Sequence, residues 1–483
     1  MFDSQLLTKA NNGDVESQYQ VGLHYYDEDN ADHDYSKACE WFSKAANSGH
    51  ADAQNKLANL LIDGSGIEKD TEKAIFWYTK AANQGNAAAQ YNLGANFFSG
   101  DAAVQDYEKS TFWYGKSAEQ GDADAQERLA YAYDEGIGID KDLDKAFYWY
   151  DKAANNGSSW GMYGLGMCYL KGNGTEQDFR KAFEALSKST QEGCNFAYFT
   201  LGQMYENGDG TAQNLIEAIN CYKHAEGGDQ QTAFFRIARI YDVLEDKVSA
   251  TEWYIKSAEA GNLDSMAELC GRYIQGLGCK LDSKEAIRWG TIAAENGHLH
   301  GMVILAHTYA FEGTVKMSLG AKKEALEASN LAEKWFETAF SNGVDRNKEA
   351  SGLSNLYCTL GKIYWFLDDN STALKYAMRS NEPYAKLIKY QCLKSNTSSM
   401  QANGREIFAE LSEAVLSPAL DDYDRAMMLY SLGELHLCGI GTREDNNAAY
   451  DCFTRSANLG FEIAQDMLNK FKKKRFGGYE FLG

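Results

Sequence analysis

Proline is nearly missing: 2 residues in 483, so helices can follow one another with few chain breakers. Basic charge is also short. Lysine plus arginine number 47 against 69 aspartate plus glutamate, a net charge of −22. That balance excludes nucleic acid as the expected partner, because the surface repels phosphates. The same charge keeps a long open body soluble, and it also steers a basic partner toward it; both readings stand. No apolar run approaches the roughly 20 residues of a membrane-spanning helix, so no membrane insertion is expected. The opening MFDSQLLTKANNGD has neither a basic start nor an apolar core, and a cytoplasmic location is the expectation. Ten cysteines are present, but they recur at no shared position, and no C-x-x-C or H-E-x-x-H spacing occurs. Reduced thiols, no metal and no cofactor follow.

What the chain has instead is a repeat. Residues 49–85 read GHADAQNKLANLLIDGSGIEKDTEKAIFWYTKAANQG, and related text returns from Gly85 and from Gly121. The delimiting glycines Gly49, Gly85, Gly121, Gly157 and Gly193 are 36 positions apart. Such a period marks stacked supersecondary units. Each unit holds two helical patterns. Ala53, Leu57, Ala58 and Leu61 form one apolar stripe, and Ala74, Trp77, Tyr78, Ala81 and Ala82 form the second. Gly64 and Gly66 end the first helix, and Asp70 stands where the second should start. Neither helix buries its stripe alone, so units must stack.

The pattern A-x-A-Q-x-x-L-G-x-x-Y-x-x-G-x-G…D-x-x-K-A-x-x-W-Y-x-K-A-A-x-x-G resembles the Sel-one-like repeat, a relative of the tetratricopeptide repeat. It is carried by Ala89, Gln90, Leu93 and Gly94, then by Ala125, Gln126, Leu129, Tyr133, Gly136, Gly138, Asp142, Lys145, Ala146, Trp149 and Tyr150. The resemblance implies an all-α, right-handed superhelical α-solenoid of about twelve helix-turn-helix repeats with a C-terminal capping helix. It also implies adaptor or scaffold work, with toxin-immunity, immunoglobulin-binding and penicillin-binding relatives as other precedents.

Along the chain, regular repeats are expected over 1–309, degenerate helical repeats with longer loops over 310–425, and a final repeat with a capping helix and basic tail over 426–483. The seventh unit is placed from Gly228, with VLEDKVSA joining its helices. From Gly297 to Gly343 about ten residues are surplus, expected between two helices and lengthening the second at its start. SNTSSMQANG reads as a connecting loop. The chain is expected to end in one helix carrying Lys470, Lys472, Lys473, Lys474 and Arg475.

Few constellations carry chemistry. The G-x-G sequences follow helices and recur with the period, so they are turns and not phosphate loops. His298, His300 and His307 cluster in sequence, yet His298 takes the slot of His50, which points to an ordinary repeat residue. No nucleophile–base pair is spaced for catalysis, and no enzyme activity is expected. The functional candidates are an aromatic stripe two residues before the Leu-Gly pair: Tyr19, Tyr91, Tyr163, Phe199 and Phe235. Tyr131 and Arg239 occupy the next position of the same face, after that pair. In tetratricopeptide relatives these positions face the groove, where aromatics hold a partner; packing between helices is the plainer reading for each ring. The expected function is a scaffold binding a partner polypeptide in its groove. Neutralisation of a basic toxin or effector by an immunity protein is the alternative, and a hydrolase of the kind ascribed to some relatives is a further one.

Overall fold

The computed structural model describes residues 4–100, 105–225, 230–394, 397–475 and 477–483. Within them the chain is an all-α solenoid. After Ser4–Asn11 come twelve helix pairs, from Val15–Tyr26 with Tyr35–Asn47 to Asp422–Cys438 with Asn446–Asn458, then the short capping helix Glu462–Leu468. The expected start of the seventh unit at Gly228 lies outside the described residues; its helices are Gln230–Val243 and Lys247–Glu259.

Pair four, Ala123–Glu135 and Leu143–Asn155, shows why this text makes these helices. Asp122 caps the first by accepting from the Ala125 backbone N–H at 2.8 Å, and Asp142 caps the second through Lys145 N–H at 3.0 Å. Gly136 ends the first helix at φ +73°, its N–H donating to the Ala132 carbonyl at 2.9 Å. Gly138 has a different task. At φ +66° it lies against the backbone of Tyr107, the first residue of the previous pair's second helix, and a Cβ would collide with that carbonyl. The same close approach recurs at Gly66 on Tyr35, Gly174 on Leu143 and Gly210 on Phe179. Each turn thus fixes the register of one pair on the next.

Within a pair, the Leu-Gly glycine makes room for a ring. A Cβ at Gly94 would come to 2.9 Å from Tyr114, and one at Gly202 to 2.8 Å from Tyr222. Those rings are buried, and small residues such as Ala118 and Ala218 on the same helices are buried with them, so the helices approach closely.

The chain divides into two compact units, residues 1–240 and 241–483, each a stack of such pairs. In the second unit three expectations change. The surplus of pair nine is shared by both helices, Leu299–Ser318 and Lys322–Ser341, each 20 residues, with Gly320 turning between them. SNTSSMQANG is not a loop: from Thr397 it begins the helix Thr397–Ala414, and its Gly404 is a clearance glycine beneath Ile440 and Gly441. The basic run is not helical either. Phe471–Lys473 pairs antiparallel with Tyr479–Phe481, Phe471 opposite Phe481. Apolar Phe471, Tyr479 and Phe481 alternate with Lys472 and Glu480, which is a two-residue period, and Gly477 and Gly478 supply the positive φ of the turn. Tyr479 stacks on Tyr450 at 3.5 Å, so the hairpin seals the last pair.

Candidate functional site

The first helices of successive pairs lie side by side and carry the aromatic stripe at one residue per 36. Most stripe rings are half-buried against the large ring of their own pair's second helix. Tyr91 lies 5.6 Å from Tyr114, and Phe199 lies 5.6 Å from Tyr222. Tyr19 is 5.9 Å from Phe42 and stacks at 4.4 Å on His50, the cap of the next first helix; burial raises its phenol pKa. Arg239 is exposed, its guanidinium 5.9 Å from the Phe235 ring. Apart from Phe235 and Arg239, which share a helix, these candidates sit apart, each on its own pair.

Tyr131 and Tyr163 are brought together. They line a cavity of about 300 Å³ between the first helix of pair four and that of pair five, Ser159–Lys171, with Tyr150 among the lining residues. Trp160 and Met167 complete its apolar lining, while Glu127, Asp134, Glu135, Arg128 and Lys171 supply charge. Trp160 is 43% exposed and Tyr131 37%. Trp160 also tilts against Phe196 at 5.0 Å.

Sequence reasoning passed over Trp160, Glu127 and Asp134. A signal existed. Glu127 stands at the stripe position that is aromatic in pairs one, three, five, six and seven, and Trp160 stands where earlier pairs have Asp52, Ala88 and Asp124. Glu127 is 9% exposed, and burial pushes its carboxyl pKa up against the pull of Arg128, whose Nε lies 3.3 Å away. Asp134 is half-buried, and its pKa is raised by burial first and by the Glu135 charge second.

Several other polar positions on the first helices are satisfied within the stack. Tyr78 donates to Asn59 Oδ1 at 2.7 Å, and Asn92 donates to Asn55 and Asn59 at 3.0 and 3.2 Å. Tyr222 donates to Glu206 at 2.6 Å. The three histidines do not converge on one ligand position: His298 and His300 meet edge to face at 6.5 Å, and His300 and His307 line one cavity. His298 caps its helix through Nδ1, accepting from Gly301 N–H at 3.0 Å, and its Nε2 lies 3.1 Å from Asp264. His307 lies 3.1 Å from Glu349. Among the described residues no group of three His, Cys, Asp or Glu could hold a metal ion, and no helix is long and apolar enough to cross a membrane. The ten cysteines are unpaired, eight of them buried; burial pushes the Cys168 and Cys221 thiols up to about 12.

Against known proteins, the sequence matches the Sel1 repeat at residues 15–50, 51–86, 87–122, 123–158, 161–193, 196–225, 240–262, 263–298 and 426–461. Among curated proteins none matches the chain. A crystal structure of a protective antigen from uropathogenic Escherichia coli, described as displaying an SLR fold, is similar over 96% of this chain and 89% of its own, at 26% identity and TM-score 0.61. A Sel1 repeat protein from Oxalobacter formigenes is 26% identical over 61% of this chain and 86% of its own, with TM-score 0.46. An immunity protein from Pseudomonas aeruginosa is 21% identical over 47% of this chain and 82% of its own, with TM-score 0.29.

Proposed function

The chain belongs to the Sel1 repeat family, and from that premise we propose that it is a scaffold that binds a partner polypeptide across the first helices of its N-terminal unit. One observation carries the reading. Trp160 and Tyr131 expose large rings around a cavity of about 300 Å³, while the stripe rings Tyr19, Tyr91 and Phe199 are half-buried against the second helices of their pairs. Half-exposed tyrosine and tryptophan at a concavity are what protein interfaces use as anchors, because they bury much area for little lost side-chain freedom.

The competing surface on the same unit is an outer ridge. Phe76, Phe112 and Tyr148 are about half exposed at intervals of 36, each edge-on to the following tryptophan with a lysine over its face. The test therefore compares two triple variants of the full chain on partners captured from the native cell. Tyr131→Ala/Trp160→Ala/Tyr163→Ala should weaken the captured partner at least about tenfold by titration calorimetry. Phe76→Ala/Phe112→Ala/Tyr148→Ala should leave it unchanged, with circular dichroism confirming that both fold. The opposite pattern would remove the cavity from the interface.

A narrower version, neutralisation of a basic toxin by an immunity protein, draws on charge. Residues 1–240 hold 20 Lys and Arg against 36 Asp and Glu, a balance of −16, while residues 241–483 hold 27 against 33, a balance of −6. It requires one stoichiometric basic partner; several partners of mixed charge would leave the general scaffold.

A further inference from the structure

We infer that the cavity between the first helices of pairs four and five receives an arginine or lysine side chain presented by the partner, with Asp134 as its counter-charge and Trp160, Tyr131 and Tyr163 as its walls. This rests on the scaffold reading and names what that surface takes.

The charges in the lining do not cancel. Arg128 is committed: its Nε faces Glu127 at 3.3 Å, and it also engages the Tyr91 hydroxyl. Lys171 and Glu135 are both exposed, and their effects on the neighbouring Asp134 oppose one another. Asp134 is left. Its carboxyl is half-buried and makes no hydrogen bond or close ion pair among the described residues; the exposed Lys141 and Lys171 ammoniums act on it only from beyond ion-pair distance. Burial of such a group is costly until a cation or a donor meets it.

The walls suit the same ligand. A guanidinium or ammonium over an aromatic face is attracted by the ring quadrupole, more strongly as water is excluded, and Trp is the best such face. Trp160 and Tyr163 stand edge to face at 6.0 Å, so one ring offers its face where the other offers its edge. A volume of about 300 Å³ admits one long side chain and its neighbouring backbone, far less than a folded element. The −16 balance of residues 1–240 favours approach of a basic segment.

The probe is Nα-acetyl-arginine N-methylamide, against its neutral citrulline counterpart, followed by the Trp160 indole N–H signal in NMR spectra of the full chain. That signal is assigned by Trp160→Phe. Saturable millimolar binding of the arginine compound is expected, with the citrulline compound at least about tenfold weaker. Asp134→Asn should abolish the difference, whereas Glu72→Gln, an equal loss of charge at an exposed position of the same unit, should preserve it. Equal shifts from both compounds, no shift from either, or a preference that survives Asp134→Asn would overturn the inference. If the aromatic triple variant still loses its partner under such a result, the scaffold reading stands and only the cationic ligand falls. If that variant keeps its partner, the scaffold reading falls on its own.

Discussion

Four buried glutamines tie the first pairs together. Gln18, Gln54, Gln90 and Gln126 each donate from Nε2 to a carbonyl eight residues back, at 3.0 to 3.2 Å. In three of them Oε1 accepts from the end of the second helix: Gln84 to Gln54 at 2.8 Å, Gln120 to Gln90 at 2.7 Å, Asn156 to Gln126 at 2.9 Å. The fourth is broken. The slot facing Gln18 holds Ser48, too short to reach, and Gln18 Oε1 is buried without a partner among the described residues. An unmet buried acceptor costs about 1–3 kcal/mol, and a made bond contributes about 1 kcal/mol net. Ser48→Gln should therefore protect the amides of Val15–Tyr26 about fivefold more strongly in hydrogen exchange, and unchanged exchange would count against this account. At this scale the sequence is half legible. The Gln of A-x-A-Q is visible as a motif residue, but its partner 30 positions on looks like any polar helix end. The same holds for the cavity, where Tyr131 and Tyr163 follow from register, while Asp134 and Trp160 show only as departures from it.

Turns and helices were more readable, because their ends carry local chemistry. Aspartate or asparagine caps and left-handed glycines mark both helices of most pairs. What a pattern of periods does not display is distance across the stack. Gly121 and Gly138 are both glycines at positive φ, yet a Cβ at Gly121 meets nothing within 4 Å, and one at Gly138 meets the Tyr107 backbone. Gly121→Ala should cost about 1–2 kcal/mol, the left-handed penalty alone. Gly138→Ala adds a backbone collision and should cost about 3 kcal/mol or more. Urea titration of the two variants separates them, and equal midpoints would show that the turn does not set the register of pair three on pair four. Each failure at this scale has its physical source. A surplus of residues in pair nine carries no mark of which helix takes it, and both are extended. The hairpin of the basic tail is hidden because an apolar–polar alternation of three residues does not outweigh, to a reader of the sequence, a lysine run that also suits a helix end.

For the whole chain, the partition at residue 240 has no linker to mark it, since it falls inside Gln230–Val243. Charge does reach this scale, and it sets the response to acid. Asp70, Asp106, Asp142 and Asp178 recur every 36 residues as helix caps, with pKa values held below the usual 3.8. For Asp70 and Asp106 the leading cause is the lysine ammonium three residues on, and for Asp142 and Asp178 it is the backbone N–H there. A carboxylate with a depressed folded pKa contributes stability above its unfolded value, and that contribution is lost as pH falls through the folded one. Glu127, Asp134 and Asp424 act oppositely. Burial raises their pKa values, so the folded chain takes up their protons first and is stabilised as acid is added from neutrality. Relief of repulsion in a chain of net charge −22 works the same way. The two sets titrate in sequence, so stability should rise modestly from pH 7 to about 5 and fall steeply below about 4. Thermal melts across pH 3–7 measure this. Asparagine keeps the backbone caps but not the pairing with lysine, so Asp70→Asn/Asp106→Asn/Asp142→Asn/Asp178→Asn should lower the pH 7 midpoint slightly and flatten the acid limb. Parallel acid limbs in the variant and the natural chain would place the acid sensitivity elsewhere than in the repeated caps.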